Sequence, residues 1–149
     1  MTYKSRIPAG SDYLHSVGRA FYNFTYLEWV VISTIVKLSA DGFGSVPRGK
    51  AASHIAKALI KAVAATEPPL PDKLRRDLVK FHESYLAAIS RRNKLLHAHP
   101  YTAPNGDQQL SGGGIEWPTD IVVEAAKFFE ETAITGNKIF HGELKVVRP

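Results

Sequence analysis

The sequence predicts an all-α fold: an antiparallel bundle of four main helices with a short hairpin or loop insertion between helices three and four. Three observations predict it. Apolar residues recur at alternating steps of three and four in separate segments, the spacing of one helix face. Prolines and glycines cluster between those segments, where they interrupt helical geometry. The length of 149 residues, with 44% hydrophobic and 22% charged content, suits a single domain, 1–149, that buries its own core.

Residues 1 to 10 read as an extended arm ending at Gly10. Ser11-Asp12 is suited to cap helix one, because a short side-chain oxygen accepts from the unpaired first-turn N–H groups. Helix one is expected from about Asp12 to Leu38. Its stripe runs Leu14, Val17, Phe21, Phe24, position 28, Val31, Ile35 and Leu38. Position 28 breaks the series, because it is Glu28. A carboxylate in a core stripe is costly unless a cationic or hydrogen-bonding group meets it, so Glu28 predicts a partner.

Asp41-Gly42-Phe43-Gly44-Ser45-Val46-Pro47 reads as a loop. Helix two follows from about Arg48 to Ala65, with Ile55, Leu59 and Ala62 or Val63 inward and Lys50, Lys57 and Lys61 outward. Glu67-Pro68-Pro69-Leu70-Pro71 ends it, and Pro71 is well placed to open the next helix. Helix three spans about Asp72 to Ala98 on the stripe Leu74, Leu78, Phe81, Tyr85 and Ala88 or Ile89. The next step lands on Arg92 before Leu95 and Leu96. Glu28 and Arg92 are therefore candidate partners from opposite helices, the alternative being that either side chain bends to solvent at a helix edge.

Pro100 forbids helix and pushes His99 out of helical geometry, leaving His97 accessible in the last turn or just past it. Tyr101 to Ala103 and Gln108 to Leu110 flank Pro104-Asn105-Gly106-Asp107, and Asn-Gly signals a hairpin. Ser111-Gly112-Gly113-Gly114 has the composition of a flexible linker. Thr119-Asp120 is suited to cap helix four. That helix places Ile121, Ala125, Phe128 and Thr132 on one side and Val122, Phe129 and Ala133 on the next. It reaches about Ile139 or Phe140, with Gly136 a weak point, and Glu143 to Pro149 form a tail.

Composition narrows the chemistry. With no cysteine there is no disulfide framework, thiolate metal site or thiol nucleophile. The first residues lack a signal peptide's apolar run, and Trp29 to Leu38 is too short to span a membrane, so a cytoplasmic protein is expected. The net charge of +5 is uneven. Asp72 to Lys94 carries seven basic and three acidic residues, a local +4, whereas Glu116 to Glu131 carries five acidic and one basic, a local −4. Such asymmetry gives either a positive and a negative face or ordinary solvated helix surfaces. The glycines at 112–114 lack the Lys-Ser/Thr of a phosphate loop, and no Gly-x-Ser-x-Gly elbow exists. His97 and His99, two apart, point to different sides of a helix, and His15, His54, His82 and His141 are scattered; no metal and no cofactor are expected.

What remains is Ser90-Arg91-Arg92-Asn93-Lys94-Leu95-Leu96-His97-Ala98-His99-Pro100, which groups arginine, asparagine and histidine at one helix end. Asn93 and His97, four apart, share a face, and Arg92 lies one step round. Such a trio suits metal-independent phosphodiester chemistry. Histidine exchanges protons near neutrality, and a guanidinium holds two phosphate oxygens and stabilises developing charge. In RNA the 2′-hydroxyl supplies the nucleophile. Arg91 and Lys94 add salt-sensitive attraction to a nucleic-acid backbone, and His99 and Tyr101 are supporting candidates near the substrate. The structural alternative is that Arg92 neutralises Glu28, Asn93 is solvated and His97 caps the helix end.

Arg92-Asn93-Lys94-Leu95-Leu96-His97 resembles the R-x4-6-H motif of the HEPN superfamily, and Arg91 with five intervening residues fits it too. The motif's place late in a third long helix is similar as well, as is the glutamate within the apolar run Phe24 to Val31. The resemblance covers most of the chain as architecture but about six residues as motif. It implies a metal-independent endoribonuclease, a toxin or defence RNase, with Arg92 and His97 catalytic, Asn93 assisting and Glu28 positioning Arg92. It also implies RNA as substrate and a homodimer that joins two motifs in one composite site. An antitoxin or nucleotidyltransferase-like protein is a further expected partner. Inactive members of such a family only bind, so a non-catalytic nucleotide- or RNA-binding module is the alternative.

Overall fold

The structure, a computed structural model, describes residues 3–149; the first two residues of the expected extended arm lie outside them. The order is α1 (Ser11–Leu38), α2 (Ala52–Ala65), α3 (Asp72–Leu96), β1 (His99–Thr102), β2 (Gln108–Gly112), β3 (Ile115–Trp117), α4 (Thr119–His141) and α5 (Glu143–Val147). A 3-10 turn, Gly42–Ser45, follows α1. The chain is mostly helical, with the four expected long helices. It is not all-α, because a three-stranded antiparallel sheet in the order β1-β2-β3 separates α3 from α4.

The third strand corrects the reading of the glycine run. Gly112 pairs with Ile115, so Gly113 and Gly114 form a two-residue hairpin loop rather than a flexible linker. Both have positive φ, 65° and 76°, the pair of left-handed conformations that a type I′ turn demands. The first hairpin forms where Asn105-Gly106 predicts it, with Thr102 opposite Gln108 and His99 opposite Ser111.

The helix starts also differ from expectation. Gly10 and Pro118 hold the N-cap positions without side-chain hydrogen bonds, so neither Ser11-Asp12 nor Thr119-Asp120 caps its helix. Asp12 and Asp120 lie in the first turns instead, where negative charge meets the positive end of the helix dipole. α2 begins at Ala52, four residues later than the sequence suggests.

Specific contacts give the helix directions. Tyr13 meets Trp117, Asn23 meets Ala126 and Tyr26 meets Asn137, so α1 and α4 advance together. Phe24 meets Arg92, whereas Glu28 meets Tyr85, so α3 runs against α1. Strict alternation would set α1 parallel to α3 and against α4, so it does not hold for either pair; α3 and α4 do run in opposite directions. The sheet explains this: it receives the chain from α3 beside the start of α1 and feeds α4 along the same path.

Burial follows the stripes closely on α3, where Leu74, Leu78, Phe81, Tyr85, Ala88 and Ile89 are all in the core. On α1 the buried arc is wider, because the helix packs against α2 on one side and α4 on another. Tyr13, Leu27 and Val30 join the core, whereas Leu14, expected inside, is 48% exposed. Fully burying each large apolar side chain contributes about 1.5–3 kcal/mol. Tyr13 ties the sheet to this core: its hydroxyl donates to the Trp117 carbonyl (2.7 Å) and accepts from the Leu110 N–H (3.0 Å). No helix among the described residues is long and apolar enough to cross a membrane.

Gly136, a weak point of α4 by helix propensity, is where α4 packs tightly against both α1 and α3. A Cβ there would overlap the Phe81 ring of α3 and meet Val30 Cγ1 of α1 at 2.8 Å. The helix propensity lost at glycine is exchanged for close packing. Gly136→Ala is therefore expected to destabilise the fold by about 1–3 kcal/mol through overpacking, although alanine is the better helix former. Thermal or denaturant unfolding checks this, and an unchanged or raised midpoint would contradict it.

Candidate functional site

α3 delivers the site because its stripe stays in register to its end. Tyr85, Ala88 and Ile89 are buried, Arg92 is half-buried one turn on, and Leu95 anchors the last turn in the core. The helix stops at Leu96. His97 is its C-cap at φ −93°, ψ 4°, exposed, with its N–H donating to the Asn93 carbonyl at 3.0 Å. Asn93 is exposed on the same side of the helix.

Glu28 does not pair with Arg92. Its Oε1 accepts a 3.0 Å hydrogen bond from the Tyr85 hydroxyl, and the ion pairs among the described residues lie elsewhere, joining Lys73 to Asp77 and Glu143, and Arg75 to Asp72. The physical reason is mutual need. A buried phenol requires a hydrogen-bond partner, and a half-buried carboxylate requires a donor. Arg92 turns instead onto Phe24, its Cζ 4.6 Å from the ring centroid, which is cation–π geometry. Its Nε is buried with no hydrogen-bond partner among the described residues.

Both charges still reach Tyr85. Burial raises its pKa above the ordinary value of 10, the Glu28 charge and hydrogen bond raise it further, and the Arg92 charge opposes them. The site thus groups carboxylate, phenol and guanidinium around Phe24, with Tyr85 as the bridge. Tyr85 was readable from the sequence only as core. The signal was two unmet demands, a hydroxyl in one apolar stripe and a carboxylate in another.

The two arginines of the motif separate cleanly. Arg91 is exposed with its Cζ 4.8 Å from the Phe128 centroid, so it lies on α4, whereas Arg92 lies on α1. Lys94 is exposed, with its Cβ and Cγ beside Gly113 in the β2–β3 turn. His99 opens β1 and is exposed opposite Ser111. Tyr101, half-buried two residues on, donates weakly to Gln109 Oε1 at 3.5 Å. Loss of solvent first, and then Glu116, raises its pKa.

The sheet holds His97 in place. A Cβ on Gly112 would meet the Ala98 Cα at 2.8 Å and the His97 carbonyl oxygen at 3.2 Å, so β2 packs directly on the backbone that ends α3. Among the described residues no three His, Cys, Asp or Glu side chains are grouped to hold a metal ion. Comparison of the chain with protein-family models, with curated proteins and with solved structures finds no match.

Tyr85→Phe is expected to lower stability by about 1 kcal/mol or more, because it strands the Glu28 carboxylate without its donor. Glu28→Gln in the same chain is expected to recover part of that loss, and a double-mutant cycle by denaturant unfolding reads the coupling. Zero coupling would dismiss the pair. The raised Tyr85 pKa also has a sign: its stabilising contribution is complete below pH 10 and is lost at more alkaline pH, where unfolded tyrosine ionises first. Alkaline unfolding of the wild type and Tyr85→Phe measures that difference.

Proposed function

We propose that the chain is a HEPN-like helical bundle domain that cleaves RNA without a metal, through Arg92, Asn93 and His97. One observation carries the reading. A half-buried guanidinium with neither an ion pair nor an Nε partner among the described residues sits five residues before an exposed histidine at the end of the same helix. An arginine whose only task was to neutralise Glu28 would pair with it, and here Tyr85 donates to Glu28 instead.

In the proposed reaction the RNA 2′-oxygen attacks the adjacent phosphorus and the bond from phosphorus to the 5′-oxygen breaks. The products are a 2′,3′-cyclic phosphate and a free 5′-hydroxyl. One His97 accepts the 2′-hydroxyl proton, and a second imidazole, brought by a second copy of the chain, protonates the leaving oxygen. Arg92 binds the non-bridging oxygens as charge builds on them, and Phe24 holds its guanidinium plane from below. Asn93 orients the phosphate or His97. Arg91 and Lys94 attract the flanking backbone, and His99 and Tyr101 border the same helix end as supporting residues. An antitoxin or a nucleotidyltransferase-like protein would suit such an activity as a regulating partner.

Labelled RNA incubated with EDTA is expected to be cut to fragments with cyclic phosphate ends. His97→Ala is expected to slow cleavage by about 10²-fold or more, the usual size of a lost general acid or base. Arg92→Ala should cost a similar factor. If both variants cleave as the wild type does, the site is wrong; binding without product would assign a non-catalytic RNA-binding module. The composite site also requires a dimer at micromolar concentration in sedimentation, and a monomer that remains fully active would rule out the shared arrangement.

A further inference from the structure

The outer face of α2 and the loop that follows α1 enclose an open groove of about 620 Å³ that none of Glu28, Arg92 or His97 lines. One wall is basic. His54, Lys57 and Lys61 stand three and four residues apart, so they share a face of α2 and project along it over about 10 Å of helix rise. Ala58 and Ala62, each next to one of the lysines, add small side chains to the same lining. The opposite wall contributes one carboxylate, Asp41.

The sequence around this wall is one-signed. From Gly42 to Thr66 there are Arg48, Lys50, Lys57 and Lys61 and no Asp or Glu. Lys57 and Lys61 are exposed, and the ion pairs among the described residues involve neither. Lys73, by contrast, is met by Asp77 and Glu143. Cations left unpaired and set out in a line, rather than converged on one point, match a run of successive phosphates better than a single phosphate group.

We propose that this groove is a second, sequence-independent RNA site, which holds the phosphodiester backbone of a single strand outside the Arg92–His97 site. It rests on the RNA reading only for the identity of the ligand. Lys57 and Lys61 each neutralise one phosphate, and His54 donates a hydrogen bond to a third position. Because the contacts are to the backbone, binding depends on salt and not on base sequence.

The test uses the full chain carrying His97→Ala, which prevents turnover, with a fluorescein-labelled 20-residue uridine RNA titrated between 50 and 200 mM salt. Adding Lys57→Ala and Lys61→Ala is expected to weaken binding at low salt. It should also flatten the slope of log affinity against log salt by about 1.4, the single-strand value for two phosphates. Lys57→Arg with Lys61→Arg is expected to keep both, and circular dichroism is expected to show helix content unchanged, because alanine and arginine are strong helix formers. An unaltered slope, or no RNA binding at all, overturns the proposal. So does ATP binding with the same lysine dependence in the absence of RNA binding. RNA held with a lysine-dependent slope but never cut by the unsubstituted chain keeps the groove and removes the cleavage reading. RNA cut normally by a lysine double variant with an unaltered slope does the reverse.

Discussion

A carboxylate set among apolar helices has to find a donor, and the hydrogen bond from Tyr85 to Glu28 meets that need. The arrangement of the whole helix end depends on it. With Glu28 engaged by a neutral phenol, Arg92 is not drawn into a direct ion pair and its guanidinium lies on Phe24. Phe24 is itself fixed, stacked with Tyr85 at 6.2 Å between centroids and edge-on to Phe129 at 5.4 Å. The guanidinium therefore rests on a ring held from two sides. A positive group prepared in this way loses little freedom when an anion arrives, which is the usual source of tight and well-oriented phosphate contacts.

The helices were legible because their stripes are long. α3 repeats its apolar step from Leu74 to Ile89 without error, and all of those positions are buried. α1 was read correctly as a helix but imperfectly as a surface, since contact with α2 and α4 at once widens its buried arc and trades Leu14 for Tyr13. Short elements were harder. β3 has three residues, too few for a period to show, and the glycines before it resemble a linker unless their paired left-handed conformations are known. The missed caps have a simpler cause. Serine or threonine next to aspartate suits either the cap or the first turn, and here both pairs fall one residue inside the helix.

At the candidate site, the sequence reading mistook the pairing of Glu28 and Arg92. Arg92 and Glu28 both occupy stripe positions on facing helices, which is what the register predicts, yet a residue that looked like filler stands between their demands. Periodicity identifies which side chains face inward. It does not rank the donors competing for one acceptor, because that choice depends on side-chain length and on the ring that the loser can reach. The separation of Arg91 from Arg92 belongs to the same class: consecutive residues on a helix diverge by about 100°, so one meets Phe128 of α4 and the other Phe24 of α1.

Gly112 gives the small sheet an unequal tolerance of change. Where β2 abuts the end of α3 there is no room for even a methyl group, and the backbone at His97 and Ala98 is held by that contact. At the other end of the same strand, Pro104 to Asp107 is exposed. The hairpin therefore works as a lever clamped at one end: the loop can lengthen, shorten or change its charge while the histidine stays where it is. New surface can be added beside the site without rebuilding it.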